Sequence, residues 1–407
     1  GEERPKPHGA VTTPIIQTST YTFADTAEIL DFMHSKADGA AEVREEYGRY
    51  GNPTQRAAEL KVADLEGGEN ALLFASGMAA ITTTMATLLS SGDHVVLASD
   101  CYHRTREFAL TFLSRWGIET TLVSIGQPAE FATAVRSNTA LIFVETPSNP
   151  YLRVADLSQI ATLARQRKIT TMVDSTFATP INLRPLDHGI DLVIHSASKY
   201  LGGHNDLLAG VVIGCKEALD EIEHARGVMG GMSNPNDAYL LLRGLKTLDL
   251  RVRRQNESGQ RVAEFLEGHP TIRRVYYPSL RSHPDSQVAR RQMIGFGGVV
   301  SFEIEGSFEQ TGRFIDHLRI PYIGPTLGGV ESIVQQPASL FSLDPQERRD
   351  AGLKDNLVRY ALGIEDPEDL IADLSQALRA VRLTAEPAPF VQSTTKTLAR
   401  HAAGRPA

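Results

Sequence analysis

The chain has 407 residues, 42% hydrophobic and 22% charged, with a formal net charge of −8 at pH 7. That is globular composition, long enough for a large core and for more than one domain. The acidic balance argues against nucleic acid or an anionic membrane as the main partner, and leaves room for a local basic pocket that takes a small anion. The two cysteines, Cys101 and Cys215, make neither a disulfide framework nor a zinc spacing. They read as buried small hydrophobes in a reducing, cytoplasmic setting, and no metal site is expected. The opening stretch GEERPKPHGAVTTP has no apolar signal core, and no run approaches spanning length. Neither export nor membrane insertion is therefore expected. The first residue is Gly rather than Met, which leaves a trimmed tag or transit segment open.

Residues 1–60 are rich in Pro, Gly and charge and read as an irregular arm running into a helix at EEYGRYGNPTQRAAEL. From about 70 to 215, seven short apolar runs end in small or polar residues: ALLFASG, HVVLASD, TTLVSI, ALIFVETP, TTMVDSTF, DLVIHSASK and GVVIGC. They alternate with helix patterns such as AAITTTMATLL and LSQIATLARQRK. This predicts βαβ units and a seven-stranded, mostly parallel sheet of an α/β protein. Residues 235–267 read as one long amphipathic helix. The following segment mixes strands such as GGVVSFEIEG with helices, ending in PEDLIADLSQALRAVR, and reads as a smaller α+β domain. The predicted division is an arm at 1–60, an α/β domain at 61–255, an α+β domain at 256–385 and a loose Pro/Ala/Thr/Ser-rich tail at 386–407.

Ligands of open α/β sheets gather at the carboxyl ends of the strands, so the residues after each run are the candidates. Ser76, Gly77 and Met78 open a helix after LLFA, where free N–H groups suit a phosphate or simply turn the chain. Tyr102 follows VVLASDC and could stack on a flat ring or cap the sheet. Glu145 and Asn149 lie in ETPSNP, which also reads as a plain turn. Asp174 follows TTMV; Ser196, Ser198 and Lys199 follow LVIH. A lysine and an aspartate at neighbouring strand ends would face one crevice, as a structural ion pair or as chemistry. A buried lysine is costly unless its pKa falls, and a lysine so tuned suits a Schiff base. A buried carboxylate opposite would hold a pyridinium nitrogen, and two hydroxyls beside the lysine would suit a phosphate. Pyridoxal 5′-phosphate needs that set. A dinucleotide site lacks its G-x-G-x-x-G, since ASGMAA does not supply one. A scaffold that only binds cofactor would have no use for lysine, aspartate, tyrosine and arginine together.

Further motifs extend the pattern: YGRYGNPT (47–54), ALLFASGMAAI (71–81), ETPSNP (145–150), VDSTFATP (173–180), HSASKYLGGHNDLLAG (195–210), NPNDAYLLLRGLKTL (234–248) and LVRYALGIED (357–366). In these the chain resembles, over about residues 8–382, the pyridoxal-phosphate enzymes of Cys/Met metabolism, the cystathionine γ-synthase and γ-lyase group. DCYHRTREF, RQMIGFGGVVSFEI and IPYIGPTLGGVESIVQQPA are most similar to plant-type γ-synthases and their bacterial relatives.

The resemblance implies the aspartate-aminotransferase-like fold (fold type I) and a transferase or lyase activity, with γ-replacement on an activated homoserine expected first. It implies that Lys199 bonds to the cofactor and then shuttles protons, that Asp174 pairs with the ring nitrogen, and that Tyr102 stacks on the ring. Gly77, Met78, Ser196 and Ser198 would hold the phosphate, with Ser76 beside them. Tyr47 and Arg49 would reach the phosphate of a neighbouring subunit, in a homo-oligomer that is usually a tetramer. Arg359, Asn149 and Ser332 would hold the substrate α-carboxylate, with Glu331 in the substrate region. Arg104, near His103 and Arg106, would meet a phosphate leaving group or form a solvated helix start. Gly202 and Gly203 would shape the turn after the lysine. The chain departs from the pattern at Ser198, at Ala361, at GGMSNPN (230–236), at ASLFSLD (338–344) and at Glu107, where some synthases carry arginine. These departures leave open a lyase, or a replacement enzyme that uses another sulfur or carbon nucleophile.

Overall fold

The computed structural model describes residues 5–37 and 44–383, so the predicted tail lies outside the described residues. Each of the seven apolar runs is a strand. They are β1 (Asn70–Phe74), β2 (His94–Ala98), β3 (Glu119–Val123), β4 (Thr139–Glu145), β5 (Thr170–Asp174), β6 (Leu192–His195) and β7 (Gly210–Gly214). The sheet order is β1-β7-β6-β5-β4-β2-β3. Neighbours pair in parallel except β7, which runs antiparallel to both β1 and β6. Successive side chains on a strand point to opposite faces. On β1, Ala71 and Leu73 enter one core cluster while Leu72 and Phe74 enter another. Burial on both faces is why these strands are continuous apolar runs rather than alternating ones.

A second sheet holds β8 (Ile272–Tyr276), β9 (Val299–Ile304), β10 (Tyr322–Ile323), β11 (Ile333–Gln335) and β12 (Leu357–Ala361), in the order β10-β11-β12-β9-β8. The last helix, Pro367–Leu383, sends Leu370 and Leu374 into the same cluster as Val300, Phe302, Val358 and Tyr360. This is the smaller α+β unit that the sequence predicts.

Three local expectations are corrected. The arm is not wholly irregular: α1 (Thr26–Ala37) is a helix of 12 residues. Only Phe32 is buried on it, and Ile29, Leu30 and Met33 are exposed, so its apolar positions mark no core-facing stripe within the chain. The stretch 235–267 is two helices, Pro235–Leu245 and Leu248–Glu267. The Gly244 carbonyl, which a continuous helix would use further on, is taken by the Thr247 N–H and by the Arg251 guanidinium. Finally, Cys215 is exposed, at the start of the helix Lys216–Met229. Cys101 is buried.

Candidate active site

The carboxyl ends of the parallel strands bring the candidates together. Asp174 ends β5 and pairs in register with Glu145, which ends β4. Lys199 lies in the turn after β6. Its amine donates to Thr326 Oγ1 at 2.8 Å. Burial pushes the amine below its ordinary pKa, and the Arg359 guanidinium adds to that shift. Its setting is that of a partly buried amine rather than a surface cation. Beyond it, Gly203 turns the chain at φ +76°, a conformation an L side chain rarely adopts.

Asp174 receives the Thr176 N–H at 3.0 Å and the Thr176 hydroxyl at 2.6 Å, both on Oδ1. Burial raises its carboxyl, and the Thr176 bonds oppose the rise. The same Thr176 oxygen accepts the Ser196 N–H at 2.8 Å. One hydroxyl thus links the aspartate to the serine expected at the phosphate. Along the chain only the Asp-x-Thr step, a side-chain turn signal, marks Thr176.

The helix α3 (Gly77–Leu88) begins beside Ser196. Ser76 caps it, its Oγ accepting the Ala79 N–H. A Cβ on Gly77 would lie 3.0 Å from the Ser196 Cβ, so glycine lets the helix N-terminus close on the serine. That leaves first-turn N–H groups and a hydroxyl facing the same space. Ser198 is engaged differently: its hydroxyl donates to the Ala209 carbonyl at 3.2 Å and accepts the Ala209 N–H at 2.9 Å.

Arg359 on β12 is 3% exposed. It donates to Asn149 Oδ1 at 3.2 Å and to the Pro325 and Thr326 carbonyls at 3.0 Å each. Among the described residues no carboxylate pairs with it, and burial pulls its pKa down to about 10. Gln335, its register partner on β11, accepts from it once its amide is set oxygen-inward. Ser332 lies nearby in sequence, but its hydroxyl donates to Glu365 and accepts the Gly363 N–H. Its place is a fixed hydrogen-bond tie.

The remaining candidates sit further out. Tyr102 is half-exposed, with the His103 ring edge-on at 4.6 Å. Arg104 pairs with Glu107 at 2.6 Å in the short helix α4 (His103–Glu107), and Arg106 donates to the Ser99 carbonyl. Glu331 accepts from Asn205 at 2.8 Å. Tyr47 and Arg49 are held in the arm. Arg49 donates to the Gly227 carbonyl at 2.7 Å and lies over the Tyr50 ring. Within the described residues, their contacts are with the arm and that helix end rather than with the lysine pocket.

The donor set fits pyridoxal phosphate. A partly buried amine of lowered pKa, an aspartate whose bonds fall on one oxygen, and a glycine-opened helix start beside a serine are the three holds that the group requires. Comparison with known proteins agrees. The family described as Cys/Met metabolism PLP-dependent enzyme matches residues 1–379. The chain is 48% identical over 375 residues to cystathionine gamma-synthase 1, chloroplastic, of Arabidopsis thaliana, covering 91% of this chain and 66% of that protein. It therefore spans just under two thirds of that relative's length. It is 42% identical over 376 residues to the cystathionine gamma-lyase of Bacillus subtilis, covering 92% of this chain and 95% of the lyase. A crystal structure of metB from Corynebacterium glutamicum superposes with a TM-score of 0.84 at 37% identity, covering 92% of this chain and 94% of that one. The fold is that of the pyridoxal-phosphate transferases. The chain belongs to the Cys/Met metabolism PLP-dependent enzymes, with pyridoxal phosphate as its cofactor.

Proposed function

We propose that the chain catalyses γ-replacement on an O-activated homoserine, with cysteine as nucleophile and cystathionine as product. The observation that carries the reading is Arg359. A buried guanidinium without an acidic partner is costly, and a substrate carboxylate supplies the missing anion in a fork geometry. Asn149 and Gln335 orient that fork. The pocket thus selects α-amino acids and sets the substrate α-carbon near the Lys199 amine. The γ-synthase relatives at 45–48% identity support replacement over elimination.

Pyridoxal phosphate, when bound, supplies an electron sink for the substrate α-carbon. Lys199 then does the proton work. Its amine would take the Cα proton, give it up to the bound group, and only then take a Cβ proton, with the Thr326 hydroxyl as its hydrogen-bond partner. With both protons gone, the γ leaving group departs with its bonding pair and the cysteine thiolate adds at Cγ. Lys199 returns the protons to Cβ and Cα. Asp174 would pair with the ring nitrogen, and Tyr102 would lie against the ring.

In the same reading, residues 61–255 carry the cofactor and 256–385 the carboxylate clamp. Tyr47 and Arg49 of the arm complete the site of a second copy, in a tetramer, and the enzyme works in the cytoplasm. Purified protein given O-phospho-, O-succinyl- or O-acetylhomoserine, each with and without cysteine, tests the reading. Rapid cystathionine formation from one ester supports it and names the leaving group. 2-Oxobutanoate as the main product in excess cysteine would overturn it in favour of γ-elimination. If Arg104 meets a phosphate leaving group, Arg104→Ala raises KM for the phospho ester alone.

A further inference from the structure

Glu145 has no part in the chemistry above, yet the fold goes to some expense to keep it. It ends β4, after the apolar run Ala140–Val144, and it is 4% exposed. A second buried carboxylate, Asp174, stands beside it in register. Burial and that neighbour push the Glu145 carboxyl well above the usual carboxylate range, against the pull of the Tyr102 and Asn149 N–H groups.

Its oxygen Oε2 accepts the Tyr102 N–H at 2.6 Å. Tyr102 sits in the turn between β2 and α4, and its phenol group makes no hydrogen bond among the described contacts. Its main chain is what holds it: the N–H on Glu145 and the carbonyl that accepts the Arg106 N–H. The place of the ring therefore follows from the place of the backbone. The Asn149 N–H also acts on the Glu145 carboxyl, and Asn149 Oδ1 contacts Arg359. One carboxyl thus joins the turn that carries the aromatic ring, the loop that meets the carboxylate clamp, and the strand end beside Asp174.

We propose that Glu145 is a positioning residue that holds the Tyr102 ring over the cofactor, acting through its bond to the Tyr102 main chain. The proposal rests on the reading that Tyr102 stacks on pyridoxal phosphate. It assigns Glu145 the role of acceptor, so an amide can replace it and an apolar chain of similar length cannot.

The test uses the full-length holoenzyme and pyridoxal phosphate itself. The readouts are the rate of cofactor release into an apoprotein trap and the induced circular dichroism of the bound cofactor. Glu145→Met strands a buried N–H and is expected to speed release about tenfold and to weaken the dichroism. Glu145→Gln is expected to stay within about twofold of the wild type, since its oxygen still accepts the bond. Tyr102→Ala is expected to speed release as Glu145→Met does, and Glu145→Met added to Tyr102→Ala is expected to change little more. A general loss of packing would instead add its full effect in the Tyr102→Ala background, and that result overturns the proposal. So does a Glu145→Met protein that keeps its cofactor like the wild type, or a Glu145→Gln protein as impaired as Glu145→Met. If Tyr102→Ala alone leaves both readouts unchanged, the stacking reading itself fails. Should Glu145→Met not fold, Glu145→Asp takes its place: it withdraws the acceptor by one methylene, and faster release is again the expected result.

Discussion

Lys199 and Arg359 meet on one residue: the Lys199 amine donates to the Thr326 hydroxyl, and the Arg359 guanidinium donates to the Thr326 carbonyl. Two cationic side chains thus share a buried corner that holds no carboxylate of its own among the described residues. The arrangement is unfavourable until an anion arrives, and a substrate that brings a carboxylate relieves it.

Replacing Arg359 separates that cost from its use. Arg359→Met removes a buried charge without an acidic partner, and such a change is often neutral or stabilising. The apoprotein melting temperature is therefore expected to hold or rise. KM for the amino-acid substrate is expected to increase about a hundredfold, the worth of a charge-assisted fork of ~2–3 kcal/mol. Arg359→Lys restores the charge but not the fork and is expected to recover only part of the affinity. Calorimetry of the apoprotein and steady-state kinetics check both halves. A fall in melting temperature with unchanged KM would contradict the assignment.

Lys199 gives a pH signature. Its amine lies below its ordinary pKa of 10.5 in the folded protein, first by burial and then by Arg359. Between the lowered value and 10.5 the unfolded chain binds more protons than the folded one, so stability rises with pH across that window. Below that window the folded protein carries the full cost of a partly buried ammonium. Apo Lys199→Ala is therefore expected to melt higher than the apo wild type below that window, with the gap closing as pH rises toward 10. A gap that widens with pH would show that the lysine is not desolvated. The same variant is expected to lose turnover by at least ~1,000-fold and to bind the cofactor without the visible band of a covalent link.

Thr176 carries two bonds on one oxygen, to Asp174 and from the Ser196 N–H. Thr176→Val keeps the shape and removes both. The Asp174 carboxyl loses a donor that opposes its protonation, so its pKa is expected to rise further. Cofactor affinity is expected to fall about tenfold, and stability by ~1–3 kcal/mol, as for a buried partner left unsatisfied. Fluorescence titration with pyridoxal phosphate and urea unfolding would measure the two losses.

His195, the last residue of β6, and Glu66 form a buried pair, 2.5 Å apart, next in sequence to Ser196. Glu66 Oε2 and His195 Nδ1 find no partner among the described residues. Glu66→Ala leaves the histidine alone in the core and is expected to cost ~3–5 kcal/mol. A paired replacement by apolar residues of similar volume is expected to cost much less. A double-mutant cycle in denaturant resolves the difference.

Much of this molecule is legible along the chain. The seven apolar runs became seven strands because a strand buried on both faces must be apolar throughout, and that is a local property. Several of the runs end at the small or polar residues that begin the site, so Ser76, Asp174, Ser196 and Lys199 could be picked out by position alone. The motifs added the cofactor and its family. Local signals failed where a partner from elsewhere intervened. The helix at 235–267 breaks because Arg251 captures a carbonyl. Helix α1 hides because its apolar residues face no core within the chain.

What only the tertiary structure decided is who meets whom. Arg359 is marked along the chain only by the family resemblance, and nothing around Thr326 announces that it will hold the lysine amine. Glu145 sits in a stretch that reads as a turn, and Thr176 in a loop. Their roles arise from desolvation and from hydrogen bonds closed across many residues of sequence, and neither exists until the two sheets are packed together. Residue type and local period determine which groups reach the strand ends. Burial then decides which of them must find partners, and the fold alone supplies those partners.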